Sequence, residues 1–154
     1  MSSMVVTAAA LDRAPRFELL ERIGAGNHGV VYRAHDHQLR RDVAIKRFTH
    51  VLTDDPRAMH RIRREVSVLA RVSHPNVVTI HFVGEQEGRP FFAMELVPGR
   101  TLASRLDESG PLPFAELLDV AIGTVDALRH AAEADIVHGD IKPGNLMLDG
   151  AGRV

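Results

Sequence analysis

The sequence contains no cysteine. That excludes a disulfide framework and any thiolate metal site, and it fits a reducing compartment, so a cytoplasmic location is expected. An excess of charge of either sign is missing as well: 19 Lys and Arg face 20 Asp and Glu, for a net charge of −1. A near-neutral chain is a poor match for nucleic acid as its main partner. No apolar run approaches the roughly 18 residues that span a membrane. The N-terminus, M-S-S-M-V-V-T-A-A-A-L, carries a weak apolar patch without the basic lead of a signal peptide. Residues 1–16 are expected to form a flexible tail. There are no internal repeats and no low-complexity segments. What is present, 154 residues with 45% hydrophobic content, is globular composition with enough length for one core.

The stretch richest in chemistry is 137–148, V-H-G-D-I-K-P-G-N-L-M-L. Pro143 and Gly144 bend the chain, and an apolar strand follows. A carboxylate (Asp140), an ammonium (Lys142) and a carboxamide (Asn145) fall within six residues. The carboxylate can accept a hydroxyl proton. The amide oxygen can ligate a hard cation. The lysine can neutralise phosphate. Phosphoryl transfer needs that combination, because it relies on positioning and charge neutralisation more than on covalent chemistry. The plain alternative is a polar turn between a helix and a strand.

Upstream, residues 16–23 (R-F-E-L-L-E-R-I) read as a strand or a short helix by pattern alone. Then come Gly24, Ala25, Gly26, Asn27, His28, Gly29, Val30 and Val31. Glycines let backbone N–H groups approach a polyphosphate without Cβ interference. A lone G-x-G-x-x-G also marks dinucleotide-binding folds, but those need a helix directly after the glycines. Here a β-rich run follows, so the loop is expected to bridge two strands as a flap. A hairpin without a ligand is its bland counterpart. Residues 42–48 (D-V-A-I-K-R-F) read as the next strand, with Val43 and Ile45 on one face and Ala44 and Lys46 on the other.

An Asp cap with Pro56 behind it opens an amphipathic helix carrying Met59, Ile62, Val66 and Leu69. Its arginines are expected to form a solvated basic face. Pro75 stops this helix. Residues 77–83 and 90–96 are two apolar strands joined by a hairpin, G-E-Q-E-G-R. Residues 101–106 form a short helix, broken at 110–113. A long amphipathic helix follows, marked by Phe114, Leu117, Leu118, Ala121, Ile122, Val125 and Leu128. Gly123 inside it costs roughly 1 kcal/mol against Ala. Residues 146–148 form a strand, 149–152 a turn, and Arg153 and Val154 are expected to begin a return strand.

The motifs together resemble a serine/threonine protein kinase domain over about 17–154. The resemblance rests on G-x-G-x-x-G-x-V at 24–31, V-A-I-K at 43–46 and H-x-D-x-K-P-x-N at 138–145. Lys142 with Pro143 favours the serine/threonine branch, and the general appearance is bacterial. The resemblance implies an α+β, protein kinase-like fold: a five-stranded antiparallel small-lobe sheet with helix C over 17–97, then the first part of a helical large lobe over 98–154. It implies ATP and Mg²⁺ as cofactors and a protein substrate with a Ser or Thr acceptor. Asp140 would be the base, Lys142 would stabilise the transferring phosphate and Asn145 would hold Mg²⁺. Residues Ile23 to Val31 would cover the phosphates. Ala44 would leave room for the base, and Lys46 would reach the α- and β-phosphates. Glu65 would pair with Lys46; its plain alternative is an exposed i,i+4 pair with Arg61, worth a few tenths of a kcal/mol. Met94 would be the gatekeeper, the backbone of Glu95 and Val97 the hinge, and Met147 the floor of the adenine site. His138 would be the structural histidine of the catalytic loop.

The sequence departs from the family pattern twice. Gly139 stands where the family usually has Arg, which removes the partner for a phosphorylated activation loop. The sequence also stops before any D-F-G, whose aspartate holds magnesium. The expectation is therefore a fragment of a longer product. A non-catalytic pseudokinase-like module that binds nucleotide or a partner is the alternative. A small-molecule phosphotransferase is disfavoured by the Lys-Pro pair.

Overall fold

The computed structural model describes residues 16–26, 29–48, 72–86 and 89–154. The expected helix with Glu65 lies outside the described residues, as do Asn27 and His28 at the tip of the glycine loop.

Five strands form one antiparallel sheet: β1 (Phe17–Gly26), β2 (Gly29–Asp36), β3 (Arg41–Arg47), β4 (Ile80–Gln86) and β5 (Arg89–Met94). They lie in the order β1-β2-β3-β5-β4. The period-two alternation of β3 decides the layering. Val43 and Ile45 are 1% and 2% exposed and share a core with Ala34 and Ala93. Phe17, Phe82 and Phe91 close that core, with ring centroids 5.6–5.9 Å apart in tilted and edge-on contacts. On the opposite face the register sets Lys46 against Val31 and Phe92, and Ala44 against Met94. At the end of β2, Asp36 is buried. Its carboxylate accepts from the Arg16 guanidinium (2.9 Å) and from the backbone of Gln38 and Leu39 (3.0 and 3.2 Å), closing the turn into β3.

After β5 the chain forms a short β6 (Gly99–Thr101), helix α1 (Leu102–Ser109), helix α2 (Phe114–Glu133), a 3₁₀ turn (Pro143–Asn145) and β7 (Met147–Asp149). Thr101 caps α1 by accepting from the Ser104 N–H at 3.1 Å. Gly110, with φ of 72°, ends it and donates to the Leu106 carbonyl. Leu102, Val120 and Leu148 form a second core with Leu106, Leu112, Leu146 and Val154 around them. The apolar stripe of α2 does not face that core: Phe114 is 79% exposed, and Leu117, Leu118, Ile122 and Val125 are also exposed.

Several boundaries differ from the sequence reading. β4 begins at Ile80 rather than 77, because residues 74–77 form a turn in which the Val77 N–H donates to the His74 carbonyl. It runs on to Gln86, and β5 begins at Arg89, inside the expected hairpin. β5 stops at Met94. β1 extends through Gly26. β6 was not foreseen; it pairs with β7. No strand starts at Arg153. Instead the Asp149 carboxylate accepts from the backbone of Ala151 and Arg153 (2.8 and 2.9 Å) and ties the turn into a closed loop.

Candidate active site

The loop between α2 and β7 is organised around Asp140. Its own N–H donates to His138 Nδ1 (3.2 Å). Lys142 Nζ donates to both of its carboxylate oxygens, at 3.0 and 2.8 Å. Asn145 Nδ2 donates to the carboxylate (3.0 Å) and to the Asp140 carbonyl (2.8 Å). The 3₁₀ turn makes this possible: Pro143 presets φ, and the Asn145 N–H reaches back to the Lys142 carbonyl at 2.9 Å. The Leu102 N–H donates to the Leu146 carbonyl, which docks the loop on α1. Because both Asn145 bonds use Nδ2, its Oδ1 remains as an acceptor suited to a hard cation. Gly139 has φ of 74°, with open space where a side chain would stand.

Across from this loop is the open face of the sheet. Val31, Ala44, Lys46, Phe92 and Met94 share it by register. Burial pushes the Lys46 ammonium below its ordinary pKa; Asp140 pulls the other way and Lys142 adds to the lowering. Lys46 thus senses both charges of the loop.

The glycine loop is a β1–β2 hairpin in which Gly24 faces Val31, Ala25 faces Val30 and Gly26 faces Gly29. Ile23 at its base is half-exposed. A Cβ on Gly26 would meet nothing within 4 Å, so that backbone is open to a ligand. Gly29 has another reason. A Cβ there would stand 2.2 Å from the Arg47 carbonyl oxygen, so this glycine lets β2 approach β3.

In the hinge, the Glu95 N–H donates to the Thr79 carbonyl at 2.8 Å, which leaves its own carbonyl as the group for a base edge. The Glu95 carboxylate also accepts from the Thr79 N–H (3.3 Å). A cavity of about 730 Å³ lies between hinge, loop and α2. Glu95, Val97, Asn145 and Met147 line it, together with Leu128 and Ala131 of α2. Of the expected residues, Glu95, Val97, Asn145 and Met147 line this cavity; Val31, Ala44, Lys46 and Met94 on the sheet face do not, and neither do Asp140 and Lys142. Among the described residues no cluster of three or more His, Asp or Glu side chains is arranged to hold a metal.

The sequence reading missed the tie between the small lobe and α2. His74 Nε2 lies 3.2 Å from the Asp126 carboxylate, and its Nδ1 accepts from the Asn76 N–H at 3.1 Å. The Asn76 side chain donates to the Val154 carbonyl. The polar pair flanking Pro75, His74 and Asn76, is the sequence signal for this tie.

The family model for the protein kinase domain matches residues 17–154. The chain belongs to the protein kinase family. Its similar curated proteins are named bacterial serine/threonine kinases. It is 38% identical over 133 residues to a probable serine/threonine-protein kinase of Clostridium acetobutylicum, covering 86% of this chain and 20% of that protein. It is 37% identical over 139 residues to the kinase PrkC of Bacillus subtilis (90% and 22%). It is 42% identical over 143 residues to the DNA damage-responsive kinase RqkA of Deinococcus radiodurans (90% and 21%). The chain thus spans about a fifth of the length of the curated relatives it matches. Among solved structures, the kinase domain of Mycobacterium tuberculosis PknI superposes with a TM-score of 0.78 at 25% identity, over 98% of this chain and 59% of that one. Kinases of this family use ATP and a divalent metal and act on protein substrates. Among the described residues of this kinase chain, no helix is long and apolar enough to cross a membrane.

Proposed function

We propose that the full-length protein carrying this chain transfers the γ-phosphoryl group of ATP to Ser or Thr hydroxyls of protein substrates. The observation that carries this reading is the Asp140 carboxylate, gripped by Lys142 and Asn145 and facing Lys46 across the cleft. In this reading residues 1–16 are a tail, 17–97 the small lobe and 98–154 the first part of the large lobe. The location is cytoplasmic, and nucleic acid is not a partner.

Asp140 accepts the hydroxyl proton as the hydroxyl oxygen bonds to the γ-phosphorus and the bond to the β,γ-bridging oxygen breaks, releasing ADP. Its hydrogen bonds fix the carboxylate in one orientation, so the acceptor hydroxyl meets an oxygen rather than a rotating group. Lys142, beside it, places a positive charge where the transferring group gathers negative charge. Lys46 sits on the sheet face to meet the α- and β-phosphates, with Glu65 as its partner, and the backbone of 23–31 covers them. Ala44, Met94, the Glu95 carbonyl, Val97 and Met147 enclose the adenine. Asn145, through its Oδ1, would supply one oxygen ligand to magnesium, which would screen the phosphate charge.

Asp140→Asn in the full-length protein should lower transfer to a Ser/Thr peptide by at least about a hundredfold, while ATP affinity stays within about twofold. Undiminished transfer in this variant would refute the assignment.

A further inference from the structure

We propose that Phe48 and Phe92 are positioning residues that hold the Lys46 ammonium at the nucleotide face through cation–π contact. The proposal deepens the reading above, in which Lys46 meets the phosphates. Lys46 is set against Phe92 in the β3–β5 register, and Phe48 follows it by two residues, so all three side chains rise from one face. The Lys46 Nζ lies 5.9 Å from each ring centroid. The rings themselves are 5.7 Å apart and tilted by 59°, so together they make an aromatic bracket on one side of the ammonium. Phe48 is pinned there, because its N–H donates to the Pro90 carbonyl at 3.3 Å.

The need for a bracket follows from what surrounds the ammonium. Lysine is a point charge on a four-carbon stem, with many rotamers and no fixed donor plane. Burial at the sheet face disfavours its charged form. Of the charged groups in the loop opposite, Asp140 draws it across the cleft and Lys142 repels it. Aliphatic neighbours would bury the stem and offer the charge nothing of their own. Aromatic faces bury the stem and offer negative quadrupole to the charge. Lys46 is thereby kept charged and kept on the sheet face when no phosphate is present.

The test compares Phe92→Leu, Phe48→Leu and Phe92→Tyr in the full-length protein. Competitive labelling of lysines across pH, read by mass spectrometry, gives the Lys46 pKa directly and needs no catalysis. Steady-state assays give KM for ATP and kcat. The Leu variants should lower the Lys46 pKa and raise KM for ATP roughly three- to tenfold, with kcat changed less. Phe92→Tyr, which keeps the ring face, should restore both. An unchanged Lys46 pKa in both Leu variants, or Tyr behaving as Leu does, overturns the proposal. If the β5 variant fails to fold, Phe48→Leu decides. Lys46→Met separates the two layers: wild-type KM for ATP there removes the phosphate role of Lys46, while the labelling result still judges the bracket.

Discussion

Gly123 lies in the middle of α2, where helix propensity favours Ala by about 1 kcal/mol. Its surroundings reverse that preference. A Cβ would stand 2.6 Å from Val154 Cγ1 and 3.1 Å from Asn76 Nδ2. The glycine lets the turn at 74–77 and Val154 press against the helix, where the Asn76 side chain donates to the Val154 carbonyl. Gly123→Ala is therefore expected to destabilise by roughly 1–3 kcal/mol, measured as a fall in the thermal midpoint; a rise would show that the helix relaxes away from Asn76. In the sequence Gly123 reads as a propensity defect, because the residue that explains it stands at position 76. Phe92 is similar. The sequence marks it as a strand residue, and only strand pairing brings it beside Lys46.

At the scale of elements, the β2–β3 turn is held by a buried carboxylate. Burial alone raises the Asp36 pKa, but the Arg16 hydrogen bonds and the Leu39 and Gln38 N–H groups outweigh it, so the net direction is down. A carboxylate with a depressed folded pKa stabilises above the unfolded value of about 3.9 and loses that contribution as pH falls through the folded value. Stability should therefore decline below about pH 4, and Asp36→Asn should flatten that acid limb while costing about 1.5–3 kcal/mol at neutral pH. Denaturant melts of both proteins from pH 7 to pH 3 check this. The elements themselves were largely legible: a β-rich run marked β2, alternation marked β3, apolar runs marked β4 and β5, and Gly110 and Pro113 marked the gap between α1 and α2. Their ends were not. β4 starts late because His74 and Asn76 spend their backbone groups on a turn, and β6 exists only because β7 returns beside it. Neither fact has a local pattern.

For the whole chain, motif spacing pointed to the 138–145 loop and to 43–46 because each is short and local, while the rest of the sheet face comes together only through strand pairing. The tie through His74, Asn76 and Asp126 escaped because it joins distant segments. The exposed stripe of α2 has a consequence for handling. Phe114, Ile122 and Val125 are 79%, 59% and 63% exposed. Apolar area of that kind drives association. The 154-residue chain produced by itself should bind an apolar dye such as ANS and scatter light increasingly with concentration, and the double change Ile122→Glu with Val125→Lys should reduce both. Equal dye binding in that variant would place the exposed apolar surface elsewhere.

The two outer reasons for the glycine loop also divide its evolutionary meaning. Gly29 is required by the Arg47 carbonyl oxygen on the neighbouring strand, whereas Gly26 has open space around it. A descendant lineage that stopped binding nucleotide would be free to replace Gly26 and still be held to glycine at 29. Retention of the third glycine alone therefore reports an intact sheet, whereas retention of the second carries news of a ligand.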